Sequence, residues 1–308
     1  MKIVIVGFGV QGKKRYNIIK KNNKNIFIVD PYTPKADYKY LEDVPLNLFD
    51  SVFLCIPDNY KEKYIDYCYK KNKNVLVEKP LIIKSLSKLS KIKKKFSNKN
   101  LILYTAYNHR FEPNIVKLKK IIEKKILGQI YSCRMFYGNG TARLVKTNIW
   151  RDKQSGVFSD LAPHLIDLSY FFFGEKKVKD FSLISSFNHE NKSPDQVIIK
   201  SNSKKINIEL EMTLCMWKNS FYCDIIGEKG SVHVSSLCKW SSSKLTLRRR
   251  VMPSGKPKEK IIKIPKGDPT WIKEHNYFKK LIQAKHKTYL NNDYKILRNI
   301  LNIEKKII

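Results

Sequence analysis

The sequence predicts an α/β fold: a doubly wound parallel sheet at the N-terminus, followed by an α+β domain built on a large, mostly antiparallel open sheet. Three observations predict it. Over the first hundred residues, runs that are apolar throughout alternate with helical stretches, as strands buried on both faces require. A glycine-rich turn directly follows the first run. After residue 120 the strands become alternating and half-buried, and short polar connections replace the helices.

Taken in order, "KIVIVGF" reads as a buried strand, residues 10–22 as a basic helix and "NIFIVD" as the second strand. "SVFLCIP" is the third, "DNYKEKYIDYCYKKN" a helix with Tyr and Ile at helical spacing, and "NVLVEKP" the fourth. "LIIKSLSKLSKIKKKFS" is an amphipathic helix and "LILYTAY" the fifth strand; right-handed crossovers then wind the sheet doubly. "FEPNIVKLKKIIEKKI" reads as a connecting helix near the domain boundary, which falls at 110–125, giving domains 1–120 and 121–308. "IYSCRMFYGNG" alternates like a half-buried strand, and a helix is expected over 157–173. The runs "VIIKS", "INIELEMTL", "SFYCDIIG", "SVHVSS", "KLTLRRRV" and "EKIIKIP" read as strands of one sheet. Helices near 270–285 and 293–306 close the chain.

A chain of 308 residues that is 42% hydrophobic accommodates two cores. No segment is long and apolar enough to span a bilayer, and "IVIVGFGV" is a poor secretory signal, so a cytoplasmic protein is expected. The net charge of +34 invites a nucleic-acid reading. Only nine of the 61 basic residues are Arg, however, and the Lys are spread along the whole chain among Asn and Ile. That is a solvated lysine surface rather than a specific nucleic-acid face; the one dense Arg cluster is 248–250. Six cysteines without a CxxC pair read as reduced thiols, and no HExxH or Cys/His cluster suggests a metal.

Gly7, Gly9 and Gly12 have G-x-G-x-x-G spacing between a predicted strand and a predicted helix. In that context Gly7 permits the tight turn, Gly9 lets a pyrophosphate approach the backbone, and Gly12 lets helix and strand pack closely. The helix N-terminus offers its N–H groups to phosphate. Asp30 ends the second strand, where a carboxylate accepts ribose hydroxyls and repels the extra phosphate of NADP. No Arg follows it. The cofactor expected is NAD rather than NADP, held by Gly7, Phe8, Gly9, Val10, Gln11, Gly12 and Asp30, with Pro57, Glu78 and Asn108 from later strand ends.

"SDLAPHLIDL" (159–168) puts Asp160 four residues before His164, on nearly the same helical face. From the residues alone, Asp160 is either a helix cap or half of a proton-handling pair. His164 is either a satisfied core histidine or the other half. Pro163 suits the first turn of a helix starting near Asp160.

At "VLVEKPL" (75–81) the chain resembles the glucose–fructose oxidoreductase and inositol dehydrogenase family, Gfo/Idh/MocA. "CIPDNY" (55–60), "AYNHRFEP" (106–113), "WRDKQSGVFSDLAPHLIDL" (150–168) and "WIKEHNYFKKLI" (271–282) extend the resemblance in the family's order. It implies a Rossmann domain, then a substrate-binding domain whose open sheet forms a homodimer or homotetramer contact. It implies a sugar or nucleotide-sugar substrate, with the hydride passing between NAD and a secondary hydroxyl or ketone. Lys79 would reach the reacting hydroxyl, His164 would take or return its proton, and Asp160 would support His164 or bind substrate. Asp167 would be a supporting partner. Arg110, Trp150 and Arg151 are candidate substrate contacts, Arg110 being equally a structural ion-pair partner. Two departures concern substrate shape: Ser155-Gly156-Val157-Phe158 stands where relatives have more glycines, and Tyr60 and Lys61 where many carry His. "YGNGTARLVKTNIWRD" resembles relatives of surface-sugar biosynthesis. Alternatives are a polyol or inositol dehydrogenase, a redox-neutral sugar lyase or glycosidase, and a catalytically silent NAD-binding regulator.

Overall fold

The computed structural model describes residues 1–21, 23–147, 152–284, 290 and 292–307. In chain order the elements are β1 (Ile3–Val6), α1 (Val10–Ile19), β2 (Ile26–Val29), β3 (Ser51–Leu54), α2 (Asp58–Lys70), β4 (Asn74–Glu78), α3 (Leu86–Asn98) and β5 (Leu103–Ala106). They continue with α4 (Pro113–Glu123), β6 (Ile130–Gly140), α5 (Ala142–Lys146), α6 (Val157–Phe173), β7 (Phe181–Phe187) and β8 (Gln196–Ser201). Last come β9 (Asn207–Thr213), β10 (Cys215–Gly227), β11 (Gly230–Ser235), β12 (Ser243–Arg249), β13 (Glu259–Ile264), α7 (Thr270–Gln283) and α8 (Asp293–Ile307). No helix among the described residues is long and apolar enough to cross a membrane.

The chain divides into two compact units, Met1–Asn108 with Thr270–Leu297, and His109–Pro269 with Arg298–Ile308. A single cut at 120/121 therefore leaves α7 with the second unit and falls inside α4, which belongs whole to the second unit. The reason is packing: Phe278 and Leu281 of α7 belong to the same core as Ile3, Ile5, Ile19, Phe53, Leu76 and Tyr104. Buried apolar area decides unit membership, not sequence distance.

The first unit is a five-stranded sheet in the order β2-β1-β3-β4-β5, every pair parallel. β1, β3 and β5 are buried along their whole length, matching their continuous apolar sequence. An isolated parallel bridge from Val29 to Tyr38 extends the β2 edge. The strand order reverses between β1 and β3, and the crevice outside the carboxyl ends of such strands is where open α/β sheets bind ligands.

The second unit is an eight-stranded sheet in the order β13-β12-β11-β10-β6-β9-β8-β7. Only the β6–β9 pair is parallel. β7 has no counterpart among the strand runs expected from sequence; "FSLISSF" has weak alternation and a bulge between Leu183 and Ser185. α6 packs against β6, β8 and β9, and α4 against β11, β12 and β13.

α6 occupies the predicted span, but its start differs from the expectation built on Pro163. Gly156, at φ +48°, precedes the helix, and the Val157 N–H donates to the Pro194 carbonyl at 2.8 Å. The chain therefore enters the helix before Asp160, and Pro163 lies in the helix interior. It withholds an N–H from the Ser159 carbonyl, a loss that with ring sterics usually costs about 3 kcal/mol. Burial of α6 on nearly every side offsets that: only Ser159, Asp160 and Phe171 are not fully buried.

Candidate active site

In the first unit the glycine turn has two separate causes. Gly7 has φ +89°, and a Cβ there would meet the Cys55 carbonyl oxygen. A Cβ on Gly12 would run into the Gly7 carbonyl. Both glycines are demanded by the fold itself. Gly9 differs: a Cβ there meets nothing within 4 Å and its φ is −71°. Nothing in the protein requires glycine at that position, so the open space above it suits a ligand brought close to the backbone.

Gly9 opens α1 without a side-chain cap, and no acidic residue occupies the first turn. The first N–H groups of α1 are thus available in the way an anion needs. Phe8 is buried, while Val10 is 80% exposed and Gln11 also faces solvent. Asp30 braces the turn. Its Oδ2 accepts from the Phe8 N–H at 2.7 Å, and its Oδ1 from Tyr32 N at 2.8 Å and Thr33 N at 3.2 Å. A carboxylate has about four acceptor positions, so one remains for a further donor such as a hydroxyl. A Gly9 cradle, uncapped N–H groups and an acid at the end of β2 together fit a dinucleotide.

The strand ends behind this turn carry buried charge. Arg15 of α1 pairs with Glu78 at 2.5 Å and with Glu274 of α7 at 2.9 Å. Burial, with the Glu78 charge adding to it and Arg15 opposing, pushes the Glu274 carboxyl up to about 7. His275, next on α7, stacks edge-on against Phe53, and burial holds its pKa down to about 4. Asn108 ends the first stretch of this unit and donates its side-chain N–H to Thr270 Oγ1, where the second stretch begins, at 2.9 Å. Pro57 immediately precedes α2. Lys61, in the first turns of α2, is only 2% exposed, and its ammonium donates to the carbonyls of Glu78 at 2.6 Å and Pro80 at 2.7 Å. Those two residues flank Lys79.

In the second unit His164 is 7% exposed, and its ring stacks on His109 with centroids 4.0 Å apart and an interplanar angle of 26°. Tyr137 of β6 lies 5.4 Å from the His109 ring and 6.0 Å from the His164 ring. Lys239 donates to the Tyr137 hydroxyl at 3.1 Å and sits 3.1 Å from His109 Nε2, its ammonium 4.5 Å above the Trp240 ring. A lysine ammonium has no acceptor, so in this contact His109 Nε2 is the acceptor. Glu112 fixes the turn that presents Lys239: its carboxylate accepts from Cys238 N at 3.3 Å and Cys238 Sγ at 2.9 Å, and burial raises its pKa. Asp160 lies one turn before His164 on the less buried side of α6.

Arg110 and Asp167 form a two-pronged buried ion pair, Nε to Oδ2 at 2.7 Å and Nη2 to Oδ1. Of the two roles open to Arg110, the pair meets the structural one, Asp167 lying midway along α6. Trp150 and Arg151 lie outside the described residues. His109, Tyr137, Lys239, Trp240, Lys61, Arg15 and Glu274 were not expected from sequence. His109 lies inside "AYNHRFEP", Glu274 inside "WIKEHNYFKKLI" and Tyr137 at the start of "YGNGTARLVKTNIWRD", and Lys61 stood out as a departure, but none was given a role; Arg15, Lys239 and Trp240 had no signal and converge through tertiary packing.

A parallel unit with a glycine turn at its switch point, paired with an α+β unit carrying a buried histidine on a central helix, is the architecture of two-domain oxidoreductases. Residues 119–299, more than half of the chain, match the family described as "Oxidoreductase family, C-terminal alpha/beta domain" of Gfo/Idh/MocA. The chain belongs to the Gfo/Idh/MocA oxidoreductase family. It is 26% identical to myo-inositol 2-dehydrogenase of Thermotoga maritima over 48% of this chain and 42% of that one. It is 27% identical to glucose-6-phosphate 3-dehydrogenase of Bacillus subtilis over 54% of this chain and 49% of that one. The matched stretches thus span about half or less of those relatives. Among solved structures, levoglucosan dehydrogenase in complex with NADH and levoglucosan superposes with a TM-score of 0.79 over 100% of this chain and 98% of that one. At 17% identity, that likeness establishes the fold.

Proposed function

We propose that the chain is an NAD-dependent dehydrogenase acting on a secondary hydroxyl or ketone of a sugar or polyol. The observation that carries this reading is Gly9: glycine stands where the fold has room for a side chain, at an uncapped helix N-terminus beside Asp30. The names of relatives support the substrate class, since they act on inositol, glucose 6-phosphate and levoglucosan. Within that class we favour a nucleotide sugar of surface-polysaccharide biosynthesis, because of the resemblance of residues 137–152 and a net charge of +34 that draws anions. Homodimer or homotetramer assembly and a cytoplasmic site of action belong to the same proposal.

When bound, the nicotinamide supplies the hydride acceptor. The remaining work falls to this chain. Loss of a hydride from a secondary alcohol leaves a proton, which His164 takes at its imidazole and returns in the reverse direction. Lys79 steadies negative charge developing on the same oxygen. Asp160, a turn before His164, orients the ring or holds a substrate hydroxyl. Arg110 is engaged by Asp167, so Trp150 and Arg151 remain the candidates for substrate contact.

The test is NADH formation at 340 nm with NAD and a panel of myo-inositol, glucose 6-phosphate, levoglucosan and UDP-linked hexoses. One panel member is expected to turn over. K79M and H164A are each expected to lower kcat/KM by about 100-fold or more. Near-normal turnover in both variants would overturn the assignment of roles. Tight NADH binding without turnover of any panel member would favour a regulator, and product formation without net NADH would favour the redox-neutral lyase.

A further inference from the structure

Lysine is among the residues least often buried, and removing its ammonium from water without partners is costly. Lys61 is nonetheless 2% exposed. It balances that cost with three acceptors for three N–H donors: the Glu78 carbonyl at 2.6 Å, the Pro80 carbonyl at 2.7 Å and Asp58 Oδ1 at 2.6 Å. A methionine would fill the same volume, so packing does not explain the charge. The bonds do. Two of them grip the backbone on either side of Lys79, and a charged donor makes such bonds shorter and stronger than neutral ones.

The neighbouring residue of α2 does related work. Glu62 accepts from the Lys84 N–H at 2.8 Å, so the same helix also holds the chain a few residues beyond Pro80. The segment leaving β4 is therefore tied down at Glu78, Pro80 and Lys84, with Lys79 inside the tied stretch. We propose that Lys61 is a positioning residue, which fixes the backbone from which the Lys79 ammonium reaches its target. This rests on the role given to Lys79 above.

The experiment compares K61M, K61A and K79M in the full-length protein with NAD and whichever member of the sugar panel the wild type oxidises. For K61M, kcat is expected to fall about 10- to 100-fold, the scale of a misplacement of about 1 Å. The Kd for NADH, from its fluorescence, should stay within about twofold. For K61A, added methylammonium should recover part of the lost kcat. Should K61M not accumulate as folded protein, D58A at a half-exposed position is read instead. It removes one of the three anchors, and a smaller fall in kcat with unchanged NADH affinity is expected. Wild-type kcat in K61M, with K79M inactive, would overturn the proposal while leaving the Lys79 role intact. So would a kcat unaffected by amine alongside a lowered Tm, which marks a purely structural lysine. Normal turnover in K79M would instead remove the reading on which the proposal rests.

Discussion

Lys79 follows the last residue of β4, in a turn whose flanking carbonyls are held by Lys61. His164 sits in the middle of a long helix, and the rings of His109 and Tyr137 pack beside it. The first side chain is placed by fixing its backbone, the second by surrounding its ring. The charges differ too. The first unit buries a guanidinium between two carboxylates, Arg15 with Glu78 and Glu274. Among its described residues the second buries a matched pair, Arg110 with Asp167. A matched pair is neutral and depends on both partners, whereas burial, reinforced by the second acid on one arginine, pushes the Glu274 carboxyl up to about 7. The first unit thereby carries an acid whose ionisation near neutral pH works against the fold.

The largest effect expected from breaking this contrast is in the second unit. D167A removes the carboxylate that the Arg110 guanidinium, itself 8% exposed, is bonded to through two nitrogens. Loss of one partner of a buried pair typically costs 3–5 kcal/mol, and that range is expected here from urea unfolding. Replacing both, as R110M/D167L, should recover most of it, because the desolvation cost of two charges vanishes with them. A D167A loss below about 1 kcal/mol would mean that the pair is hydrated and that the two units do not differ in this way.

The first unit is expected to show smaller, pH-dependent effects with opposite signs on adjacent residues. Glu274 has a folded pKa raised to about 7 from 4.5, so its contribution is full below 4.5 and lost as pH rises through about 7. His275 has a folded pKa lowered to about 4 from 6.5, so its contribution is full above 6.5 and lost as pH falls toward about 4. Each swing is on the order of 3 kcal/mol at most. Relative to wild type, H275F should gain stability at pH 4.5, and its stability should decline toward pH 7. E274Q should do the reverse. Urea midpoints at the two pH values read the signs directly, and parallel slopes in the two variants would refute the coupling of burial to titration.

What the sequence made legible follows the same division. Backbone devices leave marks in it. Gly7 and Gly12 are glycines because a Cβ has nowhere to go, β1, β3 and β5 are apolar throughout because both faces are covered, and α6 spans its expected residues because its apolar content is continuous. Side-chain convergence leaves none. Lys239 is one of 61 basic residues and only the fold puts it beside His109 and Tyr137. Lys61 lies in a stretch with the composition of a solvated helix, and its burial depends on carbonyls that a distant turn supplies. Pro163 misled about the start of α6 because the entry is set by Gly156 and the Pro194 carbonyl, the latter 31 residues further along the chain from Pro163. The return of α7 to the first unit was equally hidden, since amphipathic spacing shows that a helix has a buried face but not which core receives it.

The smallest effect on stability is expected at the position that says most about the ligand. G12A drives a Cβ into the Gly7 carbonyl and should destabilise the first unit. G9A introduces a Cβ into open space at a φ of −71°, which any residue adopts, so its Tm and urea midpoint should match wild type. An alanine there should even lose less chain entropy on folding than glycine does. NADH binding is where G9A should show its effect, as a Kd raised about tenfold or more, because the methyl group occupies the space through which a pyrophosphate approaches the α1 N-terminus. Fluorescence titration of NADH against wild type and G9A separates the alternatives. Equal affinities would mean that the glycine turn is a folding device alone, and the backbone-built half of the comparison would lose its claim to be a binding site.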